Sequence, residues 1–150
     1  MTTAIEHLST LYYSPIIHEK LFLDFYSYIV PKEHDILLSY LVLPLYFNHK
    51  TYTFFNNAKK TSSLITLTNK RDRLIGIEKR ISEFQGLTNR CLQRLIDENA
   101  AIITNQMSIH IKTKLNTTKK NNNSFIYNLA KILSQNEVDI TYRLLGVNKI

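Results

Sequence analysis

The stretch Thr61–Lys114 constrains the fold most, because its apolar spacing changes period within it. In Asp72–Phe84 the residues Leu74, Ile77, Ile81 and Phe84 recur at steps of three and four, which places them on one helical face. Gln85-Gly86-Leu87 reads as a turn, with Gly86 supplying conformational freedom. Thr88 stands as the N-cap of a second helix, Thr88–Asn99, whose stripe is Cys91, Leu92, Leu95 and Ile96. Beyond Asn99 the period becomes two. Ile102-Ile103-Thr104 reads as a strand, Asn105-Gln106 as a turn, and Met107, Ile109 and Ile111 alternate with Ser108, His110 and Lys112. Two helices followed by a hairpin predict a winged helix-turn-helix.

The rest of the chain reads as helical. Ser14-Pro15 starts a helix with Ile17, Leu21, Phe25 and Ile29 facing a core and Phe22 beside them. Pro31 opens a second helix, with Glu33 and Asp35 in its first turn. Its body, Ile36–Phe47, is apolar almost all round and carries Pro44, which must kink or end it. So much apolar surface points to a covering partner, with Leu43, Pro44, Leu45 and Phe47 as the candidate interface. Asn48–Lys60 predicts a short helix and a loop, and Thr61-Ser62-Ser63 caps Leu64–Asn69. Residues 115–123 hold no apolar side chain after Leu115 and predict a linker. Ser124 starts a last helical region that Gly146 stops. The fold class expected is mainly α, one domain over 1–150, divided into a helical part (14–60), a winged-helix-like part (61–114), the linker and C-terminal helices (124–148).

Charge is unevenly placed. Residues 1–60 hold five lysines against five acids, so the net charge of +7 lies wholly in the remainder. That excess points to a polyanion or an acidic protein surface. Asn89, Arg90, Gln93, Arg94 and Asp97 would line the outward face of the second helix, with His110, Lys112 and Lys114 on the wing. Lys70, Arg71 and Arg73 add to the candidate surface for double-stranded DNA or a partner.

Catalytic patterns are lacking. The five histidines and single Cys91 show no metal-ligand spacing, and three glycines build no phosphate loop. His34-Asp35 are helical neighbours pointing about 100° apart, so they form no dyad. Glu78-Lys79 reads as a solvated face. A non-enzyme without a cofactor is expected. The start of the chain lacks a secretory pattern, and its longest apolar run is shorter than the roughly 20 residues of a membrane span. A cytoplasmic protein is expected.

Leu43-Pro44-Leu45-Tyr46-Phe47-Asn48-His49-Lys50, then Lys60-Thr61-Ser62-Ser63-Leu64, a helix pair and a two-strand wing, together resemble the middle component of three-component ABC-ATPase systems. These are bacterial anti-phage operons; Lamassu complexes, with their LmuC subunit, are members. The resemblance covers about residues 14–113 and departs at Thr51-Tyr52, where Thr-Arg is expected. A partner contact made by that arginine would differ here. The resemblance implies a non-catalytic accessory subunit on an SMC-like or Rad50-like ATPase, helping to hold a nuclease-type effector inactive until foreign DNA is sensed. The residues alone also allow a free-standing winged-helix DNA-binding regulator, or an antitoxin masking a toxic partner.

Overall fold

In the computed structural model, which describes residues 3–6, 8, 13–112 and 124–148, the first long helix is α1, Pro15–Tyr28. Ser14 is extended at its N-cap and Pro15 occupies the first helical position, where a missing N–H costs nothing. Of the expected stripe, Phe25 and Ile29 are buried, as is Phe22 beside it, and Leu21 is half-buried, but Ile17 is 51% exposed and His18 and Tyr26 are buried as well. Phe22 and Phe25 have no exposed surface, so these two rings set the helix's rotation and carry the more modest Ile17 outward.

The helix expected to open at Pro31 starts later. His34 takes φ +62°, Asp35–Leu38 form a 3-10 turn, and α2 runs Ser39–Tyr46. Asp35 cannot serve the helix dipole because its carboxylate turns back to the backbone N–H of Lys32 at 3.0 Å and across to the hairpin. Pro44 lies inside α2, and the helix stops at Tyr46, within a turn of it. Helix α3, His49–Asn56, is capped by Asn48, whose side-chain oxygen accepts from the N–H groups of Lys50 and Thr51. Ser63 caps α4, Leu64–Thr68, in a capping box with Thr66.

The expected turn at Gln85-Gly86-Leu87 is absent. One helix, α5, runs Ile77–Asp97 through Gly86. The reason is visible in its stripe: Ile77, Ile81, Phe84, Thr88, Cys91 and Leu95 are all buried, at alternating steps of four and three without a break. That continuity outweighs the roughly 1 kcal/mol by which a mid-helix glycine trails alanine. Thr88, expected to cap, is instead fully buried in the helix interior. Gly76, not Gly86, is left-handed in this stretch, at φ +75° immediately before α5.

The hairpin is present: β1, Ala101–Ile103, pairs antiparallel with β2, Ile109–Ile111, in the register Ala101↔Ile111, Ile102↔His110 and Ile103↔Ile109. Ile109 and Ile111 are buried and His110 exposed, as the alternation predicts. At the loop the alternation inverts: Met107, at φ +57°, is exposed and Ser108 is buried. The mainly helical class with one small hairpin therefore holds. A winged arrangement remains compatible with a helix leading into a hairpin, although the helix-turn-helix boundary does not stand.

Helices α6, Ser124–Leu133, and α7, Val138–Leu144, complete the core. Helix α1 packs against α5 and α6, α2 against α5, and α3 against α6. Gly146, at φ +76°, stops α7, with Val147 N–H returning to Tyr142 O at 3.0 Å. The linker expected at 115–123 and Lys114 lie outside the described residues. Among the described residues no helix is long and apolar enough to cross a membrane.

Candidate functional site

The apolar residues expected at an interface lie in the chain's own core. Leu43 and Leu45 have no exposed surface, and Pro44 is buried. Phe47 is half-buried and stacks on Phe84, with ring centroids 5.3 Å apart. It also takes the edge of the His18 ring at 5.3 Å. Beside it Tyr46 meets Tyr52 and Phe125 at 5.5 and 5.4 Å. Tyr52 in turn stacks on Phe125 at 5.2 Å. Helices α1, α2, α3, α5 and α6 thus share one aromatic cluster, and the apolar excess read in Ile36–Phe47 is absorbed by the chain's own core, which includes Leu38, Leu41, Val42, Leu43 and Leu45. Tyr52, at the position where the resemblance expects arginine, makes an internal contact.

The candidate cations divide into two groups. Arg73 donates to the carbonyls of Thr66 and Leu67 at 3.3 and 3.4 Å and lies 4.8 Å over the Phe54 ring. It closes the C-terminal end of α4. Arg94 pairs with Glu19 at 2.9 Å and with Glu98 at 2.8 Å, joining α5 to α1. Its guanidinium is held above its usual range, chiefly by the hydrogen bond to Glu19. Lys70, Arg71, Arg90 and Lys112 are exposed. Lys70 and Arg73 share an open depression with His49 and Lys50, and Lys50 pairs with Asp72 at 2.9 Å. Lys114 lies outside the described residues.

The hairpin is tied down at its tip. Asp35, wholly buried, accepts from Ser108 Oγ at 2.8 Å and from Ile109 N–H at 2.9 Å. His34 N–H donates to Gln106 O and Ile36 N–H to Met107 O, at 2.9 and 3.1 Å. Tyr26 Oη donates to Asp35 O at 2.9 Å, and burial holds that phenol well above its ordinary range. These bonds clamp the loop between the strands to the entry of α2.

Cys91 is buried and donates weakly to Pro15 O at 3.7 Å. Burial pushes its thiol up to about 12, which leaves no thiolate near neutral pH. Among the described residues, no group of three or more His, Cys, Asp or Glu side chains could hold a metal ion.

One concave surface escaped the reading of the sequence. A groove of about 520 Å³ lies between the end of α1, the loop after α3 and the outer face of α6. Tyr28, Lys59, Lys60, Tyr127 and Lys131 line it. Its only local signal is the pair Lys59-Lys60; the rest comes from residues far apart in sequence.

The sequence profile of the family described as ABC-three component (ABC-3C) system Middle Component 3 matches residues 2–149. That span takes in α6 and α7, which lie beyond the motifs of the earlier resemblance. No curated protein and no solved structure matches the chain. A profile match over nearly every residue, on a helical body whose candidate interface leucines are internal, makes the chain a Middle Component 3 protein of an ABC-three component system.

Proposed function

We propose that this middle component is a non-catalytic accessory subunit of a bacterial anti-phage defence complex of the Lamassu kind, working in the cytoplasm. It bridges an SMC-like or Rad50-like ATPase and a nuclease-type effector, and restrains the effector until DNA is sensed. The family match over residues 2–149 carries the reading, since a middle component works with protein partners. The buried setting of Cys91 argues against that thiol as a nucleophile. Because Leu43, Pro44 and Leu45 are internal, the partner contacts fall on other surfaces. The exposed Lys70, Arg71, Arg90 and Lys112 suit DNA or an acidic face of the ATPase.

The test is co-expression of the tagged chain with its operon neighbours, followed by size-exclusion chromatography and nuclease assays. Co-elution with an ATPase and an effector, with nuclease activity rising when this chain is omitted, is the expected result. ATPase or nuclease activity in the purified chain alone would overturn the proposal.

A free-standing DNA-binding regulator is the second reading, favoured by the same exposed cations and by a long helix leading into a hairpin. It requires the isolated chain to bind duplex DNA, with an affinity falling by about 0.9 log unit per log unit of salt for each phosphate contacted.

A further inference from the structure

The groove between α1 and α6 has a chemistry of its own. Lys59, Lys60 and Lys131 bring three ammonium groups to it, and no carboxylate lies among its described lining residues. Its apolar surface is left open: Val30 is 62% and Tyr127 41% exposed, with the buried Ile132 behind them. The walls are fixed. Asn128 Nδ2 donates to Phe55 O at 2.8 Å, joining α6 to α3, and Val30 N–H donates to Ser134 Oγ at 3.0 Å, joining α6 to the end of α1. Three of the residues that line the groove, Asn128, Val30 and Ser134, thus tie its walls to one another and to α3.

We propose that this groove is a docking site for an acidic, extended segment of a partner protein, one that carries an aliphatic or aromatic anchor. Charge complementarity selects the acidic character, and the exposed Val30 and Tyr127 select the anchor. The volume suits a few side chains of a peptide, within the roughly 300–1,000 Å³ typical of ligand clefts. Single-stranded nucleic acid fits less well. Lys131 Nζ lies 5.0 Å over the Tyr127 ring, and Tyr28 meets that ring edge-on at 5.2 Å, so the two tyrosines offer no parallel faces for successive bases. Arginine, the usual fork for phosphate, is missing from the described lining. The inference deepens the accessory-subunit reading and rests on it for the existence of a partner, whereas the preference of the groove can be measured on this chain alone.

The experiment is fluorescence anisotropy of the full chain with a short labelled peptide alternating glutamate with leucine and phenylalanine. Binding is expected, and it should weaken by about tenfold or more in the K59E/K131E double variant. The K79E/R143E variant, which removes as much positive charge elsewhere, should stay within about twofold of the parent. Replacing the peptide's leucines and phenylalanines by serine should also abolish most of the binding. All four substituted positions are exposed, and matching thermal melts would show the variants folded. Equal losses in the two double variants, tighter binding of an oligothymidine strand that displaces the peptide, or no binding at millimolar chain would each overturn the proposal. Failure of the operon co-elution with peptide binding intact removes the accessory-subunit reading and not the groove; the converse result removes the groove alone.

Discussion

Asp35 joins two parts of the chain through one side chain. Its oxygens take up Lys32 N–H, Ser108 Oγ–H and Ile109 N–H, at 3.0, 2.8 and 2.9 Å, in a place without water access. Removing the carboxylate strands buried donors, and each stranded donor costs about 1–3 kcal/mol. Asp35→Ala should therefore lower stability by about 2–4 kcal/mol in urea unfolding, and Asp35→Asn, which keeps one acceptor and the volume, by clearly less. Equal losses would show that the cavity, not the hydrogen bonding, dominates. Asp24 is the opposite case. It is buried, Oδ1 finds no partner, and Lys20 Nζ stands 4.0 Å from Oδ2. Burial raises its carboxyl above the usual value, only partly offset by Lys20. A carboxyl raised in the folded state binds its proton more tightly there than in the unfolded chain. Its penalty is complete above the folded value and fades as pH falls through that value toward the unfolded one. Asp24→Asn should accordingly stabilise the protein at pH 7, and the gap between variant and parent should close on acidification. Parallel stability curves from neutral to acid pH would contradict the assignment.

At the scale of elements, the decisive case is α5. The sequence contains both a glycine that suggests a turn and a heptad-like stripe that runs through it. Reading Gly86 as a turn gave the local signal precedence; the buried series from Ile77 to Leu95 shows that packing took it instead. A Cβ built at Gly86 meets only the Arg90 side chain, at an ordinary 3.7 Å, with helical backbone already in place. Gly86→Ala should therefore stabilise the protein by about 0.5–1 kcal/mol. Gly76→Ala, at φ +75°, should instead destabilise it by about 1 kcal/mol. A drop in melting temperature for Gly86→Ala would restore the turn. The elements with strong local punctuation were legible: Ser14-Pro15, the Ser63 cap, the alternation over Ile109-His110-Ile111 and the Gly146 stop all stand in the structure. What was not legible depended on distant partners. The rotation of α1 follows from Phe22 and Phe25, and the late start of α2 follows from an aspartate bonded to residues more than 70 positions away. The candidate site fared likewise, because spacing shows that Arg73 and Arg94 are basic but not that each is already engaged within the chain.

For the molecule as a whole, the C-terminal helices decide where the core ends. The motifs behind the sequence resemblance stop near residue 113, which invites treating 124–148 as an appendage. The structure gives them the opposite role. Phe125 has no exposed surface and meets Tyr46, Tyr52 and Phe55 at 5.4, 5.2 and 5.7 Å, so one ring of α6 joins α2 and α3. Ile126, Leu129, Ala130 and Leu133 of the same helix are also wholly buried, and α7 adds Val138 and Tyr142. Tyr142 Oη donates to Leu37 O, which fixes α7 against the turn that carries Asp35. Buried residues from both ends of the chain form one cluster. Phe125→Ala should therefore cost about 3–5 kcal/mol, a large share of the roughly 5–15 kcal/mol by which a domain is stable, whereas Phe125→Leu should cost much less. A chain ending at Lys112 should show no cooperative unfolding transition by circular dichroism. A cooperative melt of that truncated chain, together with a loss below about 1 kcal/mol for Phe125→Ala, would mean that the helical body stands without α6 and that its groove is built on a detachable element.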